Sequence, residues 1–147
     1  MAAIYHQIGI KAPLEKAFTA IATTEGVSQW WAPTKGNPES GGELAFMFNE
    51  HHVLALVSDY QSNKRIEWTV QGDAGEWLDT RICFNLEQLD DQVIINFQHA
   101  DWQQATEFMG HCSTKWAVFL LSLKDYLETG TGKPFPHDIH INHTTFN

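Results

Sequence analysis

The chain has 147 residues, 43% hydrophobic and 18% charged: the length of one domain, with enough apolar content for a core and too much for intrinsic disorder. Nine basic residues against 18 acidic ones give a net charge of −9, which excludes a basic nucleic-acid footprint and charge-driven attachment to an anionic membrane. No apolar run has the length of a membrane span, and MAAIYHQIGIKAP lacks the parts of a secretory signal, so a cytoplasmic protein with Cys83 and Cys112 as reduced thiols is expected.

Residues 3–11 read as a strand, with Tyr5 leading into Ile8 and Ile10 and Pro13 stopping it. Leu14, Ala17, Phe18 and Ile21 then recur at i, i+3, i+4 and i+7, a helical stripe behind a proline suited to a helix start. Thr23 or Thr24 can cap a second short helix, TEGVSQWW, which ends at Pro33. APTKGNPESGG reads as a loop by its Pro and Gly content.

From Glu43 to His99 the period changes to two. Five segments, ELAFMF, HVLALVSDY, RIEWTV, WLDTRICFNL and VIINFQH, are separated by short turns. In the fourth, alternation puts Leu78, Ile82, Phe84 and Leu86 on the apolar face, with Trp77, Asp79, Arg81 and Cys83 opposite. In the fifth, Val93, Ile95, Phe97 and His99 share the apolar face. Strands with one polar face and short turns make an antiparallel meander. From Gln104 to Glu128, Phe108, Cys112, Trp116, Phe119, Leu120, Leu123 and Leu127 form one long helical stripe, ended by Gly130 or Gly132 and two prolines. The expectation is an α+β domain over residues 1–136: a curved antiparallel sheet of about six strands gripping a long C-terminal helix, with two short helices after the first strand. Residues 137–147 are expected to be an irregular tail.

This order of elements resembles the helix-grip fold of the START/Bet v-like (SRPBCC) superfamily. Within it, APLEKAFTAIATTEGVSQWW, GGELAF, RIEWTV, TRICFNLEQLDDQVIINFQHADW and HCSTKWAVFLLSLKDYLETGTGKPFP resemble the branch of the heat-shock protein 90 ATPase activator, C-terminal domain-like. The resemblance spans residues 3–136. It implies a cavity between sheet and terminal helix that can hold a small apolar molecule. Its branch also implies a chaperone as an alternative partner. The cyclase or hydrolase chemistry known in the superfamily ranks behind both.

The candidate cavity lining follows from the two apolar faces. Phe108, Met109, Cys112 and Trp116 would line it from the helix, and Phe46, Phe48, Trp68, Leu78, Ile82 and Phe97 from the sheet. The same residues could equally fill a solid core, because both need the same pattern. Trp31 stands at the mouth in one reading; in the other, one of Trp30 and Trp31 packs on the sheet and its neighbour is half exposed. His99 is either a ligand contact and base or a core imidazole satisfied by backbone. On this alternation Trp68, and not Trp77, faces a ligand. Asp79 and Arg81 read as a solvated pair. His137, His140 and His143 are spaced three apart, yet Ile139 and Ile141 alternate as in a strand, so no metal site is expected. No cofactor fingerprint is present, and truncation after Pro136 is expected to leave the fold intact.

Overall fold

A computed structural model describes residues 1–143 of the chain. The elements run β1 (Ala2–Ile10), α1 (Leu14–Ala22), α2 (Thr24–Ser28), β2 (Thr34–Gly36), β3 (Glu43–Phe48), β4 (His51–Gln61), β5 (Arg65–Gln71), β6 (Arg81–Leu89), β7 (Gln92–Trp102) and α3 (Glu107–Thr129). All neighbours in the sheet are antiparallel, in the order β1-β7-β6-β5-β4-β3-β2. The helix-grip architecture expected from the pattern is present, with seven strands instead of about six. The extra strand is β2, hidden in the Pro- and Gly-rich segment. Its three residues pair with Leu44–Phe46 at the sheet edge. Gly36 sits there at φ 118, so close to Glu43 that a Cβ would strike the Glu43 carbonyl.

Local chemistry sets the helix ends. Thr23 caps α2 by accepting from the Gly26 amide at 3.0 Å. Thr106 does the same for α3 through the Met109 amide at 3.2 Å, so α3 starts at Glu107 and not at Gln104. Gly130, at φ 91, closes it in the left-handed conformation.

The fourth strand segment also starts later than its alternation indicated. Gly75–Trp77 form a 3-10 turn, Asp79 turns the chain at φ 66, and regular pairing begins at Arg81. This half-turn reverses the faces. Leu78 is exposed and Trp77 packs onto the core.

α3 crosses the concave face of the sheet through Cys112, Trp116, Phe119, Leu120 and Leu123, all buried. It packs toward β1 and α1. His6 of β1 donates through Nε2 to the Ser113 carbonyl at 3.0 Å. Trp30 and Trp31 are both fully buried, so neither is half exposed. Trp30 goes under α1, donating its indole N–H to the Ala20 carbonyl at 2.8 Å. Trp31 goes to the centre of the concave face.

Candidate functional site

Because α3 leans toward β1, its first half stands away from the β3–β4 hairpin. A cleft of about 610 Å³ opens there, within the size range of small-molecule sites. Along α3 it is lined by Phe108, His111, Cys112, Lys115, Trp116 and Phe119, which are successive i, i+3, i+4 neighbours on one helix face. Phe48, Asn49, His51 and Val53 of the hairpin form the opposite wall. Trp31 lies between, Ala74 and Trp77 close one end, and Phe135 and Asp138 reach in from the C-terminal segment.

The aromatic residues form a graded stack. Trp31 lies 4.9 Å from Trp116 and 5.9 Å from Trp68, ring centre to ring centre. Trp77 stacks on Trp116 at 6.0 Å with its planes 15° apart. Phe48 meets Phe135 edge-on at 5.1 Å. Beneath this layer Phe46, Trp68, Ile82, Phe84 and Phe97 are packed solid, each at most 2% exposed.

One buried relay holds the tryptophans. The Trp116 indole N–H, which can only donate, gives its hydrogen to His99 Nδ1 at 3.0 Å. His99 must therefore carry its proton on Nε2, which donates to Thr80 Oγ1 at 2.8 Å. Thr80 passes its own hydrogen to the Trp77 carbonyl at 2.6 Å. The chain thus ties the floor of the cleft to the turn that carries its end wall. Burial pushes the His99 imidazole down to about 3, so it is neutral and both nitrogens are committed. It neither reaches the cleft nor serves as a base. Its partners are two side chains and not the backbone.

Cys112 accepts from the Trp77 indole at 3.4 Å. Burial pushes its thiol up to about 11, so it is no nucleophile at neutral pH. Lys115 lies 5.3 Å over the Phe119 ring, pairs with Asp138, and donates to the Ile139 carbonyl at 3.1 Å. The tail is therefore packed against the domain. Gly132 passes so close to Gln29 that a side chain there would collide with its carbonyl. The Phe135 amide then donates to Trp31 O at 2.7 Å.

Of the residues expected to line a cavity, Trp31, Phe48, Phe108, Cys112 and Trp116 come together around the cleft. Phe46, Trp68, Ile82, Phe97 and His99 lie in the layer beneath, Met109 packs at the core margin, and Leu78 faces solvent. The alternation missed Trp77 because of the 3-10 turn. His111, Lys115 and Phe119 were available as the i+3 and i+4 companions of Phe108 and Cys112. Nothing local marked Phe135 or Asp138.

On the opposite face of the sheet, Arg81 pairs with Glu67 at 2.8 Å and Asp101 at 2.6 Å, and not with Asp79. Arg65 joins Glu67 at 2.9 Å and Asp59 at 3.0 Å. Burial pushes the Glu67 carboxyl up, but hydrogen bonds from Ser58 and Arg81, with the Arg81 charge, outweigh it and hold the group below its ordinary range. Cys83 lies under this network, its thiol pushed up to about 11 by burial and the Glu67 charge. Among the described residues no three His, Cys, Asp or Glu side chains converge as metal ligands, and His137, His140 and His143 do not form such a group.

Residues 11–128 match the family described as activator of Hsp90 ATPase homolog 1-like protein. The chain is 41% identical to the chain in the solution structure of the Aha1 dimer from Colwellia psychrerythraea, covering 90% of this chain and 100% of that one, with a TM-score of 0.81. CalU16 from Micromonospora echinospora is 17% identical over 97% of this chain and 75% of its own, with a TM-score of 0.80. Protein SSP2350 from Staphylococcus saprophyticus is 19% identical over 89% and 95%, with a TM-score of 0.74. These last two likenesses concern the fold alone. No curated protein matches the chain.

Proposed function

From the premise that this chain belongs to the activator of Hsp90 ATPase homolog 1-like family, we propose that it is a binding module holding a small, largely apolar molecule in the cleft between α3 and the β3–β4 hairpin. The observation that carries this reading is the lining itself. Trp31, Trp77, Trp116, Phe48, Phe108, Phe119 and Phe135 border a space of about 610 Å³ that the core leaves unfilled. Apolar area removed from water stabilises by about 25 cal/mol per Å², so an aromatic ligand burying roughly 150 Å² would gain about 4 kcal/mol before ordering costs. Trp31, Trp116 and Phe119 are buried and already fixed by packing, which lowers those costs. Titration of tryptophan fluorescence with a panel of aromatic and lipid-like metabolites tests the reading. A saturable change with a matching rise in melting temperature is expected. A panel without any such change overturns it.

A second reading rests on a separate observation, the 41% identity to the chain of the Aha1 dimer. It makes the chain a chaperone-associated interaction module, one that pairs with a second copy of itself. Adding the purified chain to an Hsp90 ATPase assay, with sedimentation of the chain alone, tests this reading independently of any ligand. A monomer with no effect on the ATPase rate removes it.

A further inference from the structure

Among the described residues, five of the side chains bordering the cleft are polar: Asn49, His51, His111, Lys115 and Asp138. The first four can donate a hydrogen bond, whereas an ionised Asp138 only accepts. The donors stand on the hairpin and α3, and Asp138 comes from the C-terminal segment. That segment is pinned at its root, where the Lys133 amide donates to Ser122 Oγ at 2.7 Å and the Phe135 amide to Trp31 O at 2.7 Å. Farther along, its contacts fall on the two donors of α3. Asp138 pairs with Lys115, the Ile139 carbonyl accepts from the same ammonium group at 3.1 Å, and Asn142 Nδ2 lies 3.4 Å from His111 Nδ1. His111 and Lys115 are i, i+4 neighbours, one helical turn apart on the cleft face of α3.

This cover has little apolar hold. Asp138 is the one buried residue among residues 136–143, and Ile139 is 59% exposed. Burial also strands one oxygen of the Asp138 carboxylate, because Oδ1 has no hydrogen-bond partner. Release into water hydrates that oxygen, so the closed state carries a penalty that opening removes. A segment held by polar contacts, with little apolar area buried, opens at low cost.

We propose that Asp138 stands in for the carboxylate of the ligand: the cleft takes an aromatic carboxylic acid, which displaces Asp138 from Lys115 and lifts residues 137–143 away. This rests on the ligand-binding reading above and names the ligand class. Once Asp138 has left, an anion meets Lys115 and three further donors, and no acid. One ligand oxygen replaces Asp138 on Lys115. The other, unlike Asp138 Oδ1, has His111 one helical turn away. The rings take the aromatic body. A cation is refused by Lys115, and a neutral molecule gains nothing by expelling Asp138. Because the segment must open first, the affinity observed is the intrinsic one reduced by the fraction of open chains.

The test uses the full chain with 2-naphthoate and 2-naphthamide, which share a body and differ in charge. Asp138→Ala removes the competing carboxylate. By isothermal titration it is expected to bind naphthoate at least about tenfold more tightly than the unmodified chain does, with naphthamide little changed. Asp138→Asn keeps the shape without the charge and serves if the alanine variant does not fold. Adding Lys115→Met to either variant should abolish the gain. In the unmodified chain, saturating naphthoate should speed amide exchange at residues 137–142, and naphthamide should not. Equal tightening of both probes in the Asp138 variants, or none, overturns the stand-in and leaves the cleft reading in place. Exchange at 137–142 that naphthoate slows or leaves unchanged overturns it too. Binding of neither probe by any of these proteins overturns both.

Discussion

The indole N–H of Trp116 points at the imidazole of His99, 3.0 Å from Nδ1, and so dictates the tautomer of a histidine that sits wholly inside the protein. A residue that looks in sequence like a site base is instead a neutral spacer between two tryptophan-bearing elements.

This arrangement makes stability depend on pH. His99 titrates near 6.5 when unfolded and near 3 when folded. Between those values the unfolded state binds the extra proton, so stability is present above about 6.5 and drains away as the pH falls. The slope approaches about 1.4 kcal/mol per pH unit. Denaturant titrations between pH 7 and pH 5 should show this slope in the unmodified chain and lose it in His99→Gln. A slope that persists in the variant would assign the effect elsewhere.

Thr80→Val removes the middle of the same relay. It strands His99 Nε2–H and takes one of two donors from the Trp77 carbonyl, which keeps the backbone N–H of residue 80 at 3.0 Å, at a cost of about 1–3 kcal/mol. The 3-10 turn should loosen with it. Faster amide exchange at residues 75–80, with the core strands unchanged, is the expected signature.

Alternation of the strands assigns ligand contact to Trp68 over Trp77, and the turn at Gly75–Trp77 puts them the other way round. Trp77→Ala should therefore weaken ligand-dependent thermal stabilisation, at a cost to the fold smaller than that of Trp68→Ala because Trp77 is only partly buried against the core. Trp68→Ala should lower stability by about 3–5 kcal/mol through the hole it leaves, yet still respond to ligand. Melting curves with and without an aromatic probe separate the two.

Truncation after Pro136 is expected to be felt, contrary to what the irregular look of the tail implies. It takes away Asp138 and leaves Lys115 over Phe119 without its counter-charge. The loss should be about 1–2 kcal/mol, below the ~3–5 kcal/mol of a fully buried broken pair because removing the tail lets water back to the ammonium group. A truncated chain that melts with the full-length protein would show that the docking contributes nothing.

Cys112 borders the cleft with its thiol pushed up to about 11. Alkylation by iodoacetamide should be slow at neutral pH and rise about tenfold per pH unit toward that value, since only the thiolate reacts. A bound aromatic probe should slow it further, and no protection by a saturating probe would place that probe outside the cleft.

The long-range plan was legible because it rests on periodicity. The stripe from Phe108 to Leu127 and the two-residue alternation from Leu44 to His99 each bury one face, and a single sheet with one long helix is what can satisfy both. The edges of that plan were not legible. Pairing of Thr34–Gly36 depends on the partner Leu44–Phe46 and not on local propensity. The reversal at Trp77 arises from a left-handed Asp79, a backbone state that side-chain patterning does not encode. Whether Trp68 and Phe97 face a void or other atoms is decided by the lean of α3 toward β1, a packing outcome of the whole domain. Asp138 reaches Lys115 across 22 intervening residues, with nothing local to announce it.

The pairing of β1 with β7 sets how this chain can fold as it is made. Ile10 finds its partner in Val93, so the first strand emerges long before anything it can pair with exists. At a synthesis rate of roughly 5–20 residues per second, the wait lasts about 4–17 s. During that time the β2–β6 meander can assemble from neighbours in sequence, while β1 must remain open. Closure of the sheet is a late, non-local step, which places the refolding of this domain with the slower mixed α/β folders. The nascent first strand is then the segment most exposed to mispairing with another chain.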